Sequence, residues 1–250
     1  MAKRSILTVV ASALDEDPDA SRTLIERAYV RLRDDIVEGR LAPGARLRVE
    51  HLKARYAVGA GTLREAITRL VSDALVVAEG QRGFRVAPAT LADLEDLTRL
   101  RIHIEIDALR QSIRNGDAGW RSRLEQAYED LSSTERPLIP ENRQRWEQFN
   151  IRFHEALIAA CDSPWAFRTL RILSRHSERY RRYAMGLKES QRDVHAEHQL
   201  IFEAAISGQE ARAALALEAH IRATPDALAR ADWDHENVAQ AGADERSWGS

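Results

Sequence analysis

From Leu91 to about Ala229 the chain runs in long stretches of helical period that are almost free of internal glycine and proline, and nothing else narrows its fold so far. Leu91, Leu94, Leu97, Leu100 and Ile104 begin the series. Breaks near Asn115-Gly116, Pro137-Leu138-Ile139-Pro140, Asp162-Ser163-Pro164, Gly186 and Gly208 divide the rest into about six helices. No strand pattern interrupts them, so residues 89–231 are expected to form an antiparallel all-α bundle. The polar end, residues 232–250, is expected to be disordered, and residues 1–20 a mobile arm. Lys3 and Arg4 ahead of Ile6-Leu7-Thr8-Val9-Val10-Ala11 bear a faint likeness to a secretion signal, but that apolar core is short and leads into Asp15-Glu16-Asp17-Pro18-Asp19.

A single cysteine, Cys161, excludes an intrachain disulfide framework and a cluster of thiolate metal ligands, which suits a reducing, cytoplasmic setting. Any metal must then be held by His, Asp, Glu or Asn. No run of about 18 apolar residues is present to span a membrane. The net charge of −2 hides an asymmetry, because residues 21–88 hold 13 Lys and Arg against 8 Asp and Glu, a net +5, and the remainder carries −7. A basic module on an acidic body is what a polyanion-binding head would look like.

Within residues 21–88, Tyr29, Leu32, Ile36 and Val37 share one helical face, and Gly39 with Pro43-Gly44 ends that helix in a turn. Leu47 and Leu52 bracket a short second helix ending near Tyr56. After Val58-Gly59-Ala60-Gly61 a third helix begins, with capping-box spacing between Thr62 and Glu65 and an apolar stripe of Leu63, Ile67 and Leu70. Arg64 and Arg69 fall off that stripe. Leu75-Val76-Val77-Ala78 and Phe84-Arg85-Val86-Ala87, joined through Glu79-Gly80-Gln81-Arg82-Gly83, predict a hairpin. The fold class expected is therefore mostly α: an N-terminal winged helix-turn-helix with a small β-hairpin wing, followed by the bundle. A helix fits the major groove of duplex DNA and an arginine at a hairpin tip reaches the minor groove or backbone. A winged helix used only for protein contacts is the alternative.

Gly39-Arg40-Leu41-Ala42-Pro43-Gly44-Ala45-Arg46-Leu47, Leu52, Thr62 through Leu70, Leu75-Val76 and Arg82-Gly83-Phe84-Arg85-Val86 together resemble the GntR family of bacterial transcription regulators. The resemblance implies operator-facing roles for Gly61, Thr62, Arg64, Gln81, Arg82 and Gly83. It also exposes a departure, since Gly59-Ala60-Gly61 stands where the family places a Ser-Arg-Thr-like trio. Base readout must then lean on Arg48, Arg64 and Arg69, and the operator is expected to differ from the family's commonest one.

In the bundle, Asn150 and His154 are four apart on one helix face, and His198 and His220 lie on two later helices. Three imidazoles and an amide oxygen converging in a core would suit a borderline divalent ion, although eight histidines in a helical chain can equally be scattered. Here too a resemblance enters. Phe153-His154, Glu197-His198 with Ile201 and Ala205-Ile206, Ala213 with His220, and Arg101-x-x-x-Glu105 resemble the FCD effector-binding domain of one GntR subfamily. That resemblance implies a metal at Asn150, His154, His198 and His220, with Asn150 replacing the Asp usual in metal-binding members; zinc is the first expectation, nickel or manganese the alternatives. It also implies a small carboxylic acid as effector, for which Arg101 would be the second anchor. Arg101 could equally form an intrahelical pair with Glu105. His195 is read as a surface residue or a neighbour of the site, and Arg179, Arg181 and Arg182 as a solvated face or subunit edge.

The function expected is a ligand-responsive transcription regulator, a repressor by the family's commoner arrangement, acting as a homodimer on double-stranded operator DNA. The same regulator with a metal-free effector cavity is an alternative. A metal enzyme is disfavoured: Ile158 stands where a zinc-protease motif begun at His154-Glu155 needs its second His, Asp234-His235 lies in the polar tail, and there is no phosphate loop or nucleophile elbow.

Overall fold

The computed structural model describes residues 23–135, 140–187, 192–231 and 233, so the expected arm at residues 1–20 and nearly all of the expected tail lie outside the described residues. The chain divides into two units, Met1–Ala87 and Pro88–Ser250.

In the first unit, Thr23 caps α1 (Leu24–Val37) by accepting from the Glu26 amide, which satisfies one of the free N–H groups of the first turn. Helices α2 (Val49–Tyr56) and α3 (Ala60–Ser72) follow, and Ala28, Leu32 and Ile36 pack with Leu63, Ile67 and Leu70 into a closed core. The expected capping box is a misreading of the start of α3. The cap is Gly59 in extended backbone, so Thr62 sits inside the first turn and cannot cap it. Strands β1 (Val76–Ala78) and β2 (Phe84–Val86) pair antiparallel, Val76 opposite Val86 and Ala78 opposite Phe84. Residues 45–47 lie along the other edge of β2, where the Leu47 amide donates to Phe84 and the Val86 amide to Ala45. The hairpin tip is a single 3-10 turn closed by Gly83 at φ 91°, a conformation that a side chain would make costly.

The second unit holds six α-helices among the described residues: α4 (Leu91–Asn115), α5 (Ala118–Glu135), α6 (Arg143–Leu157), α7 (Pro164–Met185), α8 (Val194–Ile206) and α9 (Glu210–Arg230). Their breaks fall where the sequence pattern places them, and Thr90, Ser163 and Asp193 each cap a helix through the side chain. Pro225 does not end α9, although it removes one hydrogen bond from the ladder. Trp120, Leu124, Leu131, Trp146, Phe153 and Leu217 fill the main core, and the Trp120 indole donates to the Ala156 carbonyl at 2.9 Å. Two expectations fail here. Arg179, Arg181 and Arg182 are not solvated but buried, Arg181 against Glu147 of α6 and Arg182 against Glu178, because this part of α7 is enclosed on all sides. Trp233, within the stretch expected to be disordered, is buried against Tyr180 and Tyr183.

A histidine cluster in the bundle and an arginine-bearing winged head

Asn150 and His154 stand one turn apart on the inner face of α6, His198 on α8 and His220 on α9, and all four are buried. The structure brings the three imidazoles together, with ligand atoms within 4.8 Å of one another. Each ring is held from behind by a carboxylate. His154 Nδ1 is 2.6 Å from Glu105, His198 Nδ1 is 2.6 Å from Glu135, and His220 Nδ1 is 2.8 Å from Glu197. A carboxylate on Nδ1 fixes the proton there and leaves the Nε2 lone pair free to bind a cation. In keeping with that, His154 Nε2, His198 Nε2 and Asn150 Oδ1 are buried without a hydrogen-bond partner. An orphaned buried polar atom costs about 1–3 kcal/mol, so a trio of them in one cluster fits a metal ion.

The electrostatics agree. Burial pushes His154 down to about 4 in spite of Glu105, and burial with the neighbouring cations drives His220 well below its usual value, so both rings are neutral at pH 7, as ligation requires. Burial alone would raise Glu105, but the Arg101 charge and the bond with His154 hold it at about 2. Arg101 donates to Glu105 at 2.7 Å, the intrahelical pair its spacing allowed, and also lines a cavity of about 320 Å³ between α4, α6 and α7 that reaches His154. His195 is a neighbour of the site rather than a surface residue, its Nδ1 lying 3.0 Å from Glu135.

Sequence reasoning missed Glu135, Glu197 and Arg192. Arg192 donates to Glu197 at 2.6 Å, to the His220 carbonyl at 2.8 Å and to Thr224 at 3.1 Å, bracing the carboxylate against α9. Only the adjacency of Glu197 to His198 hinted at a role; Glu135 meets His198 across 63 residues, which no local period can signal.

In the first unit, Arg48 is exposed at the start of α2, Gly61 and Thr62 lie in the first turn of α3, and Arg64 is exposed on its outer face. Gln81 and Arg82 belong to the 3-10 turn at the wing tip beside Gly83, with Arg82 exposed. Arg69 is set apart. It lies in the last turn of α3, its guanidinium 4.6 Å from the centre of the Tyr29 ring. Other head arginines are engaged internally: Arg40 and Arg55 bind Asp35, and Arg85 binds Glu79 and the Gly44 carbonyl.

Comparison with known proteins agrees with this division. The sequence profile of the bacterial regulatory proteins, gntR family, matches residues 24–86, and that of the FCD domain matches residues 96–223. The chain is 46% identical over 211 residues to the HTH-type transcriptional regulator BphR of Paraburkholderia xenovorans LB400, covering 81% of this chain and 84% of that one. It is 30% identical over 198 residues to the HTH-type transcriptional repressor GlaR of Escherichia coli K12, covering 77% and 90%. Among solved structures, E. coli McbR/YncC superposes with a TM-score of 0.65 at 20% identity, covering 84% of this chain and 98% of that one, which bears on the fold alone.

Proposed function

This chain belongs to the GntR family of bacterial regulatory proteins and carries an FCD domain, and from that premise we propose that it is a metal-dependent, acid-responsive repressor acting as a homodimer on operator DNA. It is a DNA-binding transcription regulator and not an enzyme. No described helix is long and apolar enough to cross a membrane.

The observation that carries the effector half is the set of inward-facing, partnerless atoms on His154, His198 and Asn150, with His220 beside them. A divalent ion held there, zinc first and nickel or manganese next, would supply positive charge and open positions for a carboxylate. Glu105, Glu135 and Glu197 keep the rings oriented for it, and Arg101 stands at the cavity wall as a second anchor for the acid. Asn150 brings no charge, so the site is weaker than one built with a carboxylate at that place. The repressor reading is supported by the relative named a repressor, and the homodimer by the exposure of the large apolar side chains Leu100 on α4 and Trp165 and Ile172 on α7. The winged heads of two copies would meet two half-sites through Arg48, Gly61, Thr62, Arg64, Gln81, Arg82 and Gly83, with Arg69, exposed in the last turn of α3 and stacked on Tyr29, as a further contact.

Metal analysis of protein purified without chelator tests the site. About one equivalent per chain is expected, lost in His154→Ala and in His198→Ala. Metal-free wild type that still binds acids would leave the cavity to Arg101 and the histidines alone. On the operator, Arg64→Ala should cost about 1–3 kcal/mol in a band-shift titration if Arg64 reads a base.

A further inference from the structure

We infer that Glu135 supplies the negative charge that a metal ion at the histidine cluster needs, acting on the ion through the His198 ring, so that its carboxylate does more than orient the imidazole. This rests on the metal reading above and adds what lets an uncharged set of ligands hold the ion.

The groups available as ligands, three imidazoles and the Asn150 amide, carry no negative charge. A divalent ion bound by them would bring its whole charge into a buried site, and a buried charge is tolerated only with an opposite charge close by. Three carboxylates stand one ring behind, and they differ in what else they hold. Glu105 is taken by Arg101 at 2.7 Å and Glu197 by Arg192 at 2.6 Å. Glu135 accepts from His198 at 2.6 Å, from His195 at 3.0 Å and from the Trp146 indole at 3.2 Å, and it meets no Lys or Arg among the described residues. Its side chain is 2% exposed, so water does not offset the charge either. Its place in the chain adds to the cost, because Glu135 is the last residue of α5, at the negative end of the helix dipole, with no basic residue in the last turn. Once the two arginines are matched with Glu105 and Glu197, the charge of Glu135 is the one left over. An anion buried at a helix end that repels it is costly in the protein alone and becomes favourable when a cation lies across the ring. The partnerless Nε2 of His198, on the opposite side of the imidazole from Glu135, is where that cation would bind. A carboxylate on the Nδ1–H also makes the other nitrogen of the ring a stronger donor to a metal.

Zinc titrations of the full chain against a chromophoric chelator at pH 7 separate charge from orientation. Glu135→Gln keeps an oxygen that can accept from His198 but loses the charge, and it is expected to weaken zinc binding by about 10–100-fold. Asn150→Asp, placed on that background, returns a negative charge to the site and should recover most of the loss. Glu135→Gln that binds zinc as the wild type does, or Asn150→Asp that recovers nothing, overturns the inference and leaves the metal reading standing. Circular dichroism of the chelated variants reports whether each is folded. If Gln is not tolerated, Glu135→Asp, which keeps the charge on a shorter stem, takes its place: zinc affinity within about tenfold of wild type supports the inference, and a larger loss overturns it. Wild-type protein that takes up none of zinc, nickel and manganese removes the metal reading and this inference together.

Discussion

At Asp35 one carboxylate gathers the Tyr56 hydroxyl at 2.5 Å, Arg40 at 2.6 Å and Arg55 at 2.7 Å, tying α1 to α2 and to the turn between them. Burial pulls its pKa upward, but the hydroxyl and the two cations outweigh that and leave it below 3.8. A carboxyl depressed by folding adds stability above its unfolded pKa, and that share disappears as the pH falls through the folded value. Asp35→Asn is therefore expected to destabilise the head by about 2 kcal/mol at pH 7, with the gap to wild type closing as the pH drops below 3.8. Hydrogen exchange in α1 and α3 is the readout, because all five tryptophans lie in the second unit. A gap that persists into acid would show that charge is not what Asp35 contributes. The histidine site teaches a related lesson. The four inward residues were legible from spacing and resemblance, while Glu135 was not, since a contact made across 63 residues leaves no mark on its neighbours in sequence.

Helix boundaries were legible wherever a backbone constraint coincides with a residue type. Pro164 behind Ser163 and Gly208 at φ 72° both mark ends that the sequence announces. Gly59 misled, because an extended glycine can cap a helix without any side chain, and Thr62 in the following turn imitated the signal. The α4–α5 connection depends on a glycine for another reason. A Cβ on Gly116 would lie 2.1 Å from the ring of Trp120, which is fully buried and has nowhere to go. Gly116→Ala is expected to cost about 1–3 kcal/mol in chemical denaturation followed by tryptophan fluorescence. A variant as stable as wild type would mean that α5 can slide on α4. Helix α7 shows the limit of periodicity. It lines the cavity with Arg171, Ser174 and Arg175, and little more than a turn later its Tyr180 hydroxyl donates to Asp93 at 2.6 Å at the start of α4. Its arginine-rich stretch looks like a solvent face in sequence and is buried in fact, because charge pattern cannot report which neighbours enclose a helix.

For the whole molecule, a head of net +5 and a remainder of net −7 predict operator binding that weakens steeply with salt. The dimer prediction belongs here as well. Trp165 is 72% exposed and Ile172 56%, and Trp165 shares a groove of mixed polarity with Ile104, His103 and Asp107 of α4; the two large exposed side chains are better covered by a second copy than left to water. Light scattering should give twice the chain mass of 28.2 kDa, and Ile172→Asp together with Trp165→Asp should halve it while helical content is kept. A wild type that stays monomeric at assay concentrations would remove the symmetry from the proposed operator. The sequence by itself determined the two-part organisation, the winged head, the six-helix bundle and the four candidate ligands, because periodicity, turn residues and family motifs are local and survive without coordinates. Tertiary structure alone decided which carboxylate stands behind each imidazole, that Arg69 rests on Tyr29, and that the α7 arginines at 179, 181 and 182 are enclosed. Those facts depend on which distant side chains share a small volume, and chain separation says nothing about that until the helices are packed.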